Sequence, residues 1–348
     1  MIYNMTRGPS TLYSNLLRRN TNAELQTRLG QAEQELATGV KSDIYKSLGT
    51  GASEALALNA SRARDSAQIA ANSLLAGRLD SMSTALDTMR GSVQPALELA
   101  LTNSQASGPT AEGLQRQARE ALNTMVSQAN VTHAGMALFA GTAVEAQSLT
   151  PWEAPSPATG ESPASVVATL IAGGLETAAD ATARIAEIDA LFDNDDGSFD
   201  ALFGTSGGTG TTLGIGDGET LQLSVQANDP AFRNVLQGLA MLAATDVSEI
   251  ADPGAYAAWV GTATSRLSEG MAGLLDSQTG LDAASGRIEA VNTRMEDRAT
   301  VYATRIDDLV GVDSYEAATE ITALETQLQA SYAVTARLSQ LSFLNFMS

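Results

Sequence analysis

The sequence predicts a mainly α protein: an elongated bundle of long coiled-coil-like helices contributed by both termini, around a smaller mixed α/β central insertion domain. Three observations carry this. Apolar residues recur three or four positions apart over long stretches at both ends of the chain, which is one face of a helix. Aromatic residues make up only 5% of a composition that is 44% apolar. A core of Leu, Ala, Val and Met with few rings is typical of long helices packed side by side. Finally, proline, glycine, serine and threonine concentrate in the middle of the 348-residue chain, between residues 145 and 252.

The first element is a helix opened by the Pro9, Ser10, Thr11 start signal. Its stripe runs through Leu12, Leu16, Leu25, Leu29, Ala32 and Leu36. Residues 36–58 follow, where Gly39, Gly49 and Gly51 break the helical pattern and both lysines, Lys41 and Lys46, occur. That stretch reads equally as a solvated connector or as a contact loop to a neighbouring subunit. A second helical run over 59–104 carries Ala63, Ala67, Ala70, Leu74, Met82, Leu86, Met89, Val93 and Leu97. Pro95 is expected to kink or break it, because proline lacks the N–H and clashes one turn back. After the turn 104–110, a third helix with Ala111, Leu114, Ala118, Ala121 and Met125 is expected to end near Thr132.

In the middle, residues 175–192 read as a short helix and 219–225 as a strand after a glycine-rich turn. Asp229 and Pro230 give an N-cap and first-position signal for a helix reaching about Thr245. The longest run spans 255–309, with Leu267, Met271, Leu274, Leu281, Ile288, Val291, Met295, Tyr302, Ile306 and Leu309 in one frame, weakened locally by Gly270, Gly273, Gly280 and Gly286. If continuous it reaches roughly 80 Å at 1.5 Å per residue, more than a compact globule of this size holds. The last helix, 313–348, contains neither glycine nor proline and carries Ile321, Leu324, Leu328, Tyr332, Leu338, Leu341 and Leu344 on one face. The expected organisation is therefore an N-terminal assembly helix over 1–40, helical rod segments over 41–144 and 229–310, an acidic, solvent-exposed domain over 145–228, and a C-terminal assembly helix over 311–348, the two terminal helices pairing with each other and with neighbouring copies.

Charge and composition exclude several functions. The net charge is -20, so phosphate repulsion makes nucleic acid a poor partner. Residues 145–252 hold 17 acidic side chains against Arg184 and Arg233 alone, which marks a solvated segment. Cysteine is absent, removing disulfides, thiolate metal sites and cysteine nucleophiles. No apolar stretch is long enough to span a membrane, and the first 25 residues contain Arg7, Arg18 and Arg19 without a hydrophobic signal-peptide core. The expectation is that the chain neither inserts in a membrane nor enters a general secretory signal-peptide route.

The chemistry of a catalytic or ligand site is equally sparse. His133 is the one histidine; alone it supplies neither a metal set nor a triad, and a hydrogen-bonded surface or interface histidine is expected. In the acidic turn 192–203, an EF-hand register with Gly197 at position six would put Phe192 and Phe203 where carboxylates are required. A loose calcium contact by Asp193, Asp195 and Asp196 competes there with a solvated acidic turn. Residues 204–219 contain neither a dinucleotide fingerprint nor a phosphate loop, and no GxSxG elbow exists. No catalytic residue, cofactor or metal site is expected. The apolar stripes at the termini stand out instead: either intramolecular core, or assembly surfaces completed by other copies.

Three stretches then match a known pattern. Leu36-Ala37-Thr38-Gly39-Val40-Lys41 resembles the LSxGxR motif that closes the first helix of the flagellin family. Residues 135–142, GMALFAGT, with Leu138, Phe139, Gly141 and Thr142, resemble the YxFxGT element of its hook-associated members. Residues 312–347 resemble the family's DxxEAxxxLxxxQxxLQAS terminus. The resemblance covers about 1–146 and 229–348, departing after Gly39, where Lys41, Ser42 and Asp43 replace the usual arginine and Ile-Asn. It implies an extracellular flagellar structural protein exported unfolded through the flagellar type III apparatus and held beforehand by an export chaperone. It would polymerise through Leu12, Leu16, Leu29, Leu36, Ile321, Leu324, Leu328, Leu338, Leu341 and Leu344. In the hook–filament junction reading its partners are its own copies, hook-associated protein 1 and flagellin. The alternatives are a filament flagellin and, from another class, a secreted surface-binding module whose central domain recognises a glycan or calcium.

Overall fold

In the computed structural model, residues 11–105, 107, 108, 110–204 and 210–347 are described, with the side chains of 11, 12, 14, 15 and 338–347 excepted. The Pro9 and Ser10 start signal lies outside them. The protein is mainly α, with long helices from both ends of the chain and a small sheet-containing middle. The helices are α1 Thr11–Thr38, α2 Ile44–Leu48, α3 Gly51–Thr102, α4 Ala111–Ala129, α5 Pro163–Ile171, α6 Ala178–Asp193, α7 Ser198–Phe203, α8 Pro230–Ala244, α9 Pro253–Val310 and α10 Ser314–Met347. Two antiparallel hairpins complete it, β1 Thr132–His133 with β2 Met136–Ala137, and β3 Thr211–Gly216 with β4 Glu219–Leu223.

The chain divides into two compact units: Met1–Ser66 with Met295–Ser348, and Ala67–Arg294. The second unit is built around α8, which is buried on nearly every side from Phe232 to Ala243. It packs on α4 and α9, and the buried core of the unit also holds Leu79, Met82, Leu86 and Met89 of α3, Leu114, Leu122 and Met125 of α4, and Trp259, Leu267 and Leu274 of α9. A helix that is apolar all round is a core helix. The approach of α9 is close: a Cβ on Gly270 would lie 2.5 Å from Val235 Cγ2 and 2.6 Å from the Val235 nitrogen. Gly270 therefore lets two helices touch, a gain that outweighs its poor helix propensity.

The predicted long helix is present as a single 58-residue element. Pro95, in contrast, does not end its helix, and α3 runs through it for 52 residues. The reason is packing: Val93, Ala96 and Ala100 on either side are fully buried, and tertiary burial overrides the local cost of the missing hydrogen bond. The helix α4 stops at Ala129, three residues before the predicted end. Asn130 terminates it, donating from Nδ2 to the Leu149 carbonyl (2.7 Å) and accepting the Leu149 N–H at Oδ1 (2.9 Å).

The middle of the chain has a core of its own. Phe192, Phe199 and Phe203 interlock, with centroids 4.5 to 5.7 Å apart. Both α5 and α6 pack on α8. Pro230 opens α8 as predicted, but the Asp229 carboxylate turns back to accept the Gln226 N–H (2.8 Å) instead of capping the helix. The β3–β4 hairpin docks on a buried polar cluster. Asn72 donates to the Ile215 carbonyl and to Asn292 Oδ1, both at 2.8 Å, and accepts from Gln68. Outside it, Glu219 pairs with Arg287 and Arg294.

Candidate assembly surface

The first unit holds both terminal helices, and they pack on each other. They run antiparallel: Asn22 on α1 accepts from Ser331 on α10, Gln26 Nε2 donates to Tyr332 Oη (2.8 Å), and at the other end Val40 bridges Gly311. That bridge is made by two backbone bonds, Lys41 N–H to the Val310 carbonyl (2.9 Å) and Val312 N–H to the Gly39 carbonyl (3.0 Å). Gly39 is left-handed, with φ +68°, a conformation that favours glycine by removing the Cβ clash. The motif closing the first helix thus serves here as the clasp between α1 and the α9–α10 joint. The joint is equally tight, since a Cβ on Gly311 would stand 2.5 Å from the Asp307 carbonyl oxygen.

Below the clasp, Ala55, Ile306 and Val310 form a small core joined by Ile44, Leu48, Leu58 and Leu309. Arg298 pairs with Asp65 through two oxygens (2.8 and 2.9 Å), and Arg305 with Glu54 (2.9 Å). The second pair is exposed and contributes little; the first is better shielded.

The predicted stripe divides into distinct environments. Leu324 and Leu328 are 5% and 7% exposed, buried with Ala32 and Ala317, while Leu29 and Ile321 are half-buried. These are seam positions between α1 and α10 of one chain. Leu16 (54% exposed) and Leu36 (39%) face solvent. Leu12, Leu338, Leu341 and Leu344 lie outside the residues whose side chains are described. Tyr332, on the same predicted face, is also exposed, and sequence periodicity missed the rest of the exposed set: Tyr13, Leu17, Val40, Tyr45, Leu56, Val301, Tyr315 and Val334. Eleven large apolar side chains are exposed in this unit, against Leu74, Leu101, Met136 and Leu275 in the other, among the described residues. Exposed apolar side chains are thus concentrated in this unit, which makes it the candidate interaction surface.

The remaining motif residues do structural work in the second unit. Leu138 and Phe139 are buried, Phe139 packs on Phe232 with centroids 5.5 Å apart, and its carbonyl accepts the Ala227 N–H (2.9 Å). Gly141 takes φ +59°, and Thr142 is exposed. His133 Nδ1 lies 2.9 Å from Ser81 Oγ. That hydroxyl already donates to the Gly77 carbonyl (2.8 Å), so the imidazole must be the donor. In the acidic turn, Asp196 accepts the Ser198 N–H (2.9 Å), and the Ser198 hydrogen bonds hold its carboxyl below the usual range. Among the described residues no three His, Asp or Glu side chains gather as a metal site. The aromatics Trp152, Phe192, Phe199, Phe203 and Phe232 are buried and offer no platform for a sugar. No helix among the described residues is long and apolar enough to cross a membrane.

Comparison with known proteins agrees with this geometry. Residues 264–347, which span most of α9 and all of α10, match the family model for the bacterial flagellin C-terminal helical region. No curated protein matches the chain in sequence. Among solved structures, one from Vibrio parahaemolyticus, described as that of a flagellar hook-associated protein, superposes with a TM-score of 0.51 at 13% identity, covering 76% of this chain and 99% of its own. The chain thus carries a match to the flagellin C-terminal helical region over residues 264–347, within a fold shared with that solved structure.

Proposed function

We propose that this chain is a flagellin-family structural adaptor at the hook–filament junction, of the hook-associated protein 3 kind, with no catalytic role. It polymerises through its terminal helices and links hook-associated protein 1 to flagellin. The observation that supports this best is the pairing of α1 with α10 into a unit that buries Leu324 and Leu328 yet leaves Leu16, Leu17, Tyr332 and Val334 exposed. Each such side chain gains about 1.5–3 kcal/mol on full burial, so several together favour assembly. Export through the flagellar type III apparatus with a chaperone on the α10 segment, and an extracellular location, follow from the same reading.

A second reading, the filament subunit itself, is favoured by the family match to the flagellin C-terminal region. Copy number separates the two. Immunogold labelling of intact flagella is expected to mark a single site where hook meets filament. Label along the whole filament would make the chain a flagellin instead.

A further inference from the structure

The outward face of α10 is a shallow open groove lined by Tyr315, Ala318, Thr322, Ala323, Thr326 and Gln327. At 100° per residue these positions centre opposite the seam made by Ala317, Ile321, Leu324 and Leu328. The same geometry puts Glu316 and Glu320 along one edge of the groove and Glu325 along the other. All three carboxylates are exposed and without an ion pair among the described residues. The surroundings do not neutralise them: residues 306–336 carry six carboxylates and no basic side chain.

The start of α1 is the complement. Tyr13, Leu16 and Leu17 form an exposed ridge at i, i+3 and i+4. Arg19 lies to one side of it and is exposed, while Arg18 falls on the side of α1 that carries the seam residues Asn22, Leu25 and Leu29; neither has an ion pair among the described residues. No acidic side chain precedes Glu24 in the chain, and the α10 residues 326–347 carry Arg337 as their single charged side chain. An apolar ridge with the Arg19 guanidinium beside it, on a helix end free of acidic side chains, thus matches an apolar groove edged by carboxylates.

Within one chain the two cannot meet. The Asn22–Ser331 contact sets the register, placing Leu17 opposite residue 336, about 14 residues or about 21 Å from Thr322 along the helix. We propose that the occupant of the α10 groove is the Tyr13–Leu16–Leu17 ridge of a second copy of this chain, with Arg19 set against the carboxylates that edge the groove, Glu316, Glu320 and Glu325. This rests on the assembly reading above and deepens it by naming the contact and its charge register. Opposite charges steer encounter and reject misaligned pairings, so the contact selects a stagger between copies that apolar burial alone would leave free.

The absence of cysteine makes a direct test possible in the full chain. Leu17→Cys and Thr322→Cys proteins are prepared separately, mixed under assembly conditions and oxidised. Helicity by circular dichroism checks that each is folded. A disulfide requires Cα atoms within about 7 Å, so a link between these positions can form only between copies. The crossed dimer is expected in the mixture and only traces of either homodimer. In parallel, Arg19→Glu and Glu320→Arg are each expected to lose most of the assembly rate at low salt, and a mixture of the two to recover it. Homodimers without the crossed product, or no recovery in the charge-reversed mixture while the unaltered chain assembles, would overturn the proposal and leave the assembly reading standing. Failure of the unaltered chain to assemble with itself or on isolated hooks would overturn both.

Discussion

At the scale of single residues, stability depends on a few places where backbone or charge has no room to move. Gly270 is one. A methyl group there would have to displace Val235 and the α8 backbone beside it, and overpacking of this kind costs about 1–3 kcal/mol. Gly270→Ala is therefore expected to lower the thermal midpoint by several degrees, whereas Gly280→Ala, with open space around it, is expected to raise it slightly through better helix propensity. Differential scanning calorimetry of the two variants checks both directions. Asp229 supplies a pH signature. Burial pushes its carboxyl up, against the opposing pulls of the Gln226 N–H and Arg233. A carboxyl with a folded pKa above its unfolded value is penalised when charged, so the folded chain gains stability as pH falls through that pKa and loses it as pH rises beyond. Asp229→Asn is expected to be more stable than the unaltered chain at neutral pH, with the difference closing as pH falls into the ordinary carboxylate range, measured by denaturant unfolding across pH.

At the scale of elements, α1 and α10 have two kinds of leucine that sequence periodicity cannot tell apart. Leu328 is sealed in the seam and Leu16 faces out, yet both fit the same three-four spacing. Leu328→Asp is expected to cost about 3 kcal/mol or more, because it removes a packed side chain and buries a charge. The loss should appear as faster proteolysis of α10 in the unassembled chain. Leu16→Ser is expected to change the stability of the free chain by less than about 0.5 kcal/mol while impairing assembly. Equal loss of stability in both would assign Leu16 to the chain's own core. The helices themselves were legible because their period is local. So were Pro230 at the start of α8 and Gly39 at the end of α1. What was not legible depends on distant partners: the burial of Val93 and Ala96 that carries α3 past Pro95, the Gly270 contact with Val235, and the one-turn β1–β2 hairpin, where Ala134 and Gly135 both take positive φ. The family motifs pointed to assembly, but only the register between α1 and α10 separates seam from surface.

At the scale of the molecule, charge and exposed apolar area are segregated. Residues 1–23 and 326–348 contain four arginines and no acidic side chain, while the rest of the chain carries all 40 carboxylates. Assembly driven by apolar burial at that end and steered by its arginines should slow as salt rises, because exposed charges are screened beyond about 8–10 Å near physiological ionic strength. Its end state should be less sensitive than its rate. Light scattering across a salt series measures both; a rate independent of salt would remove steering. The account as a whole turns on the exposed side chains of the terminal helix pair being covered by other subunits. Hydroxyl-radical footprinting of Leu16, Leu17, Tyr332 and Val334, in the free chain and in isolated flagella, tests this most directly. Heavy labelling of all four in the free chain and near-complete protection in the flagellum is the predicted result, and equal labelling in the two states would contradict it.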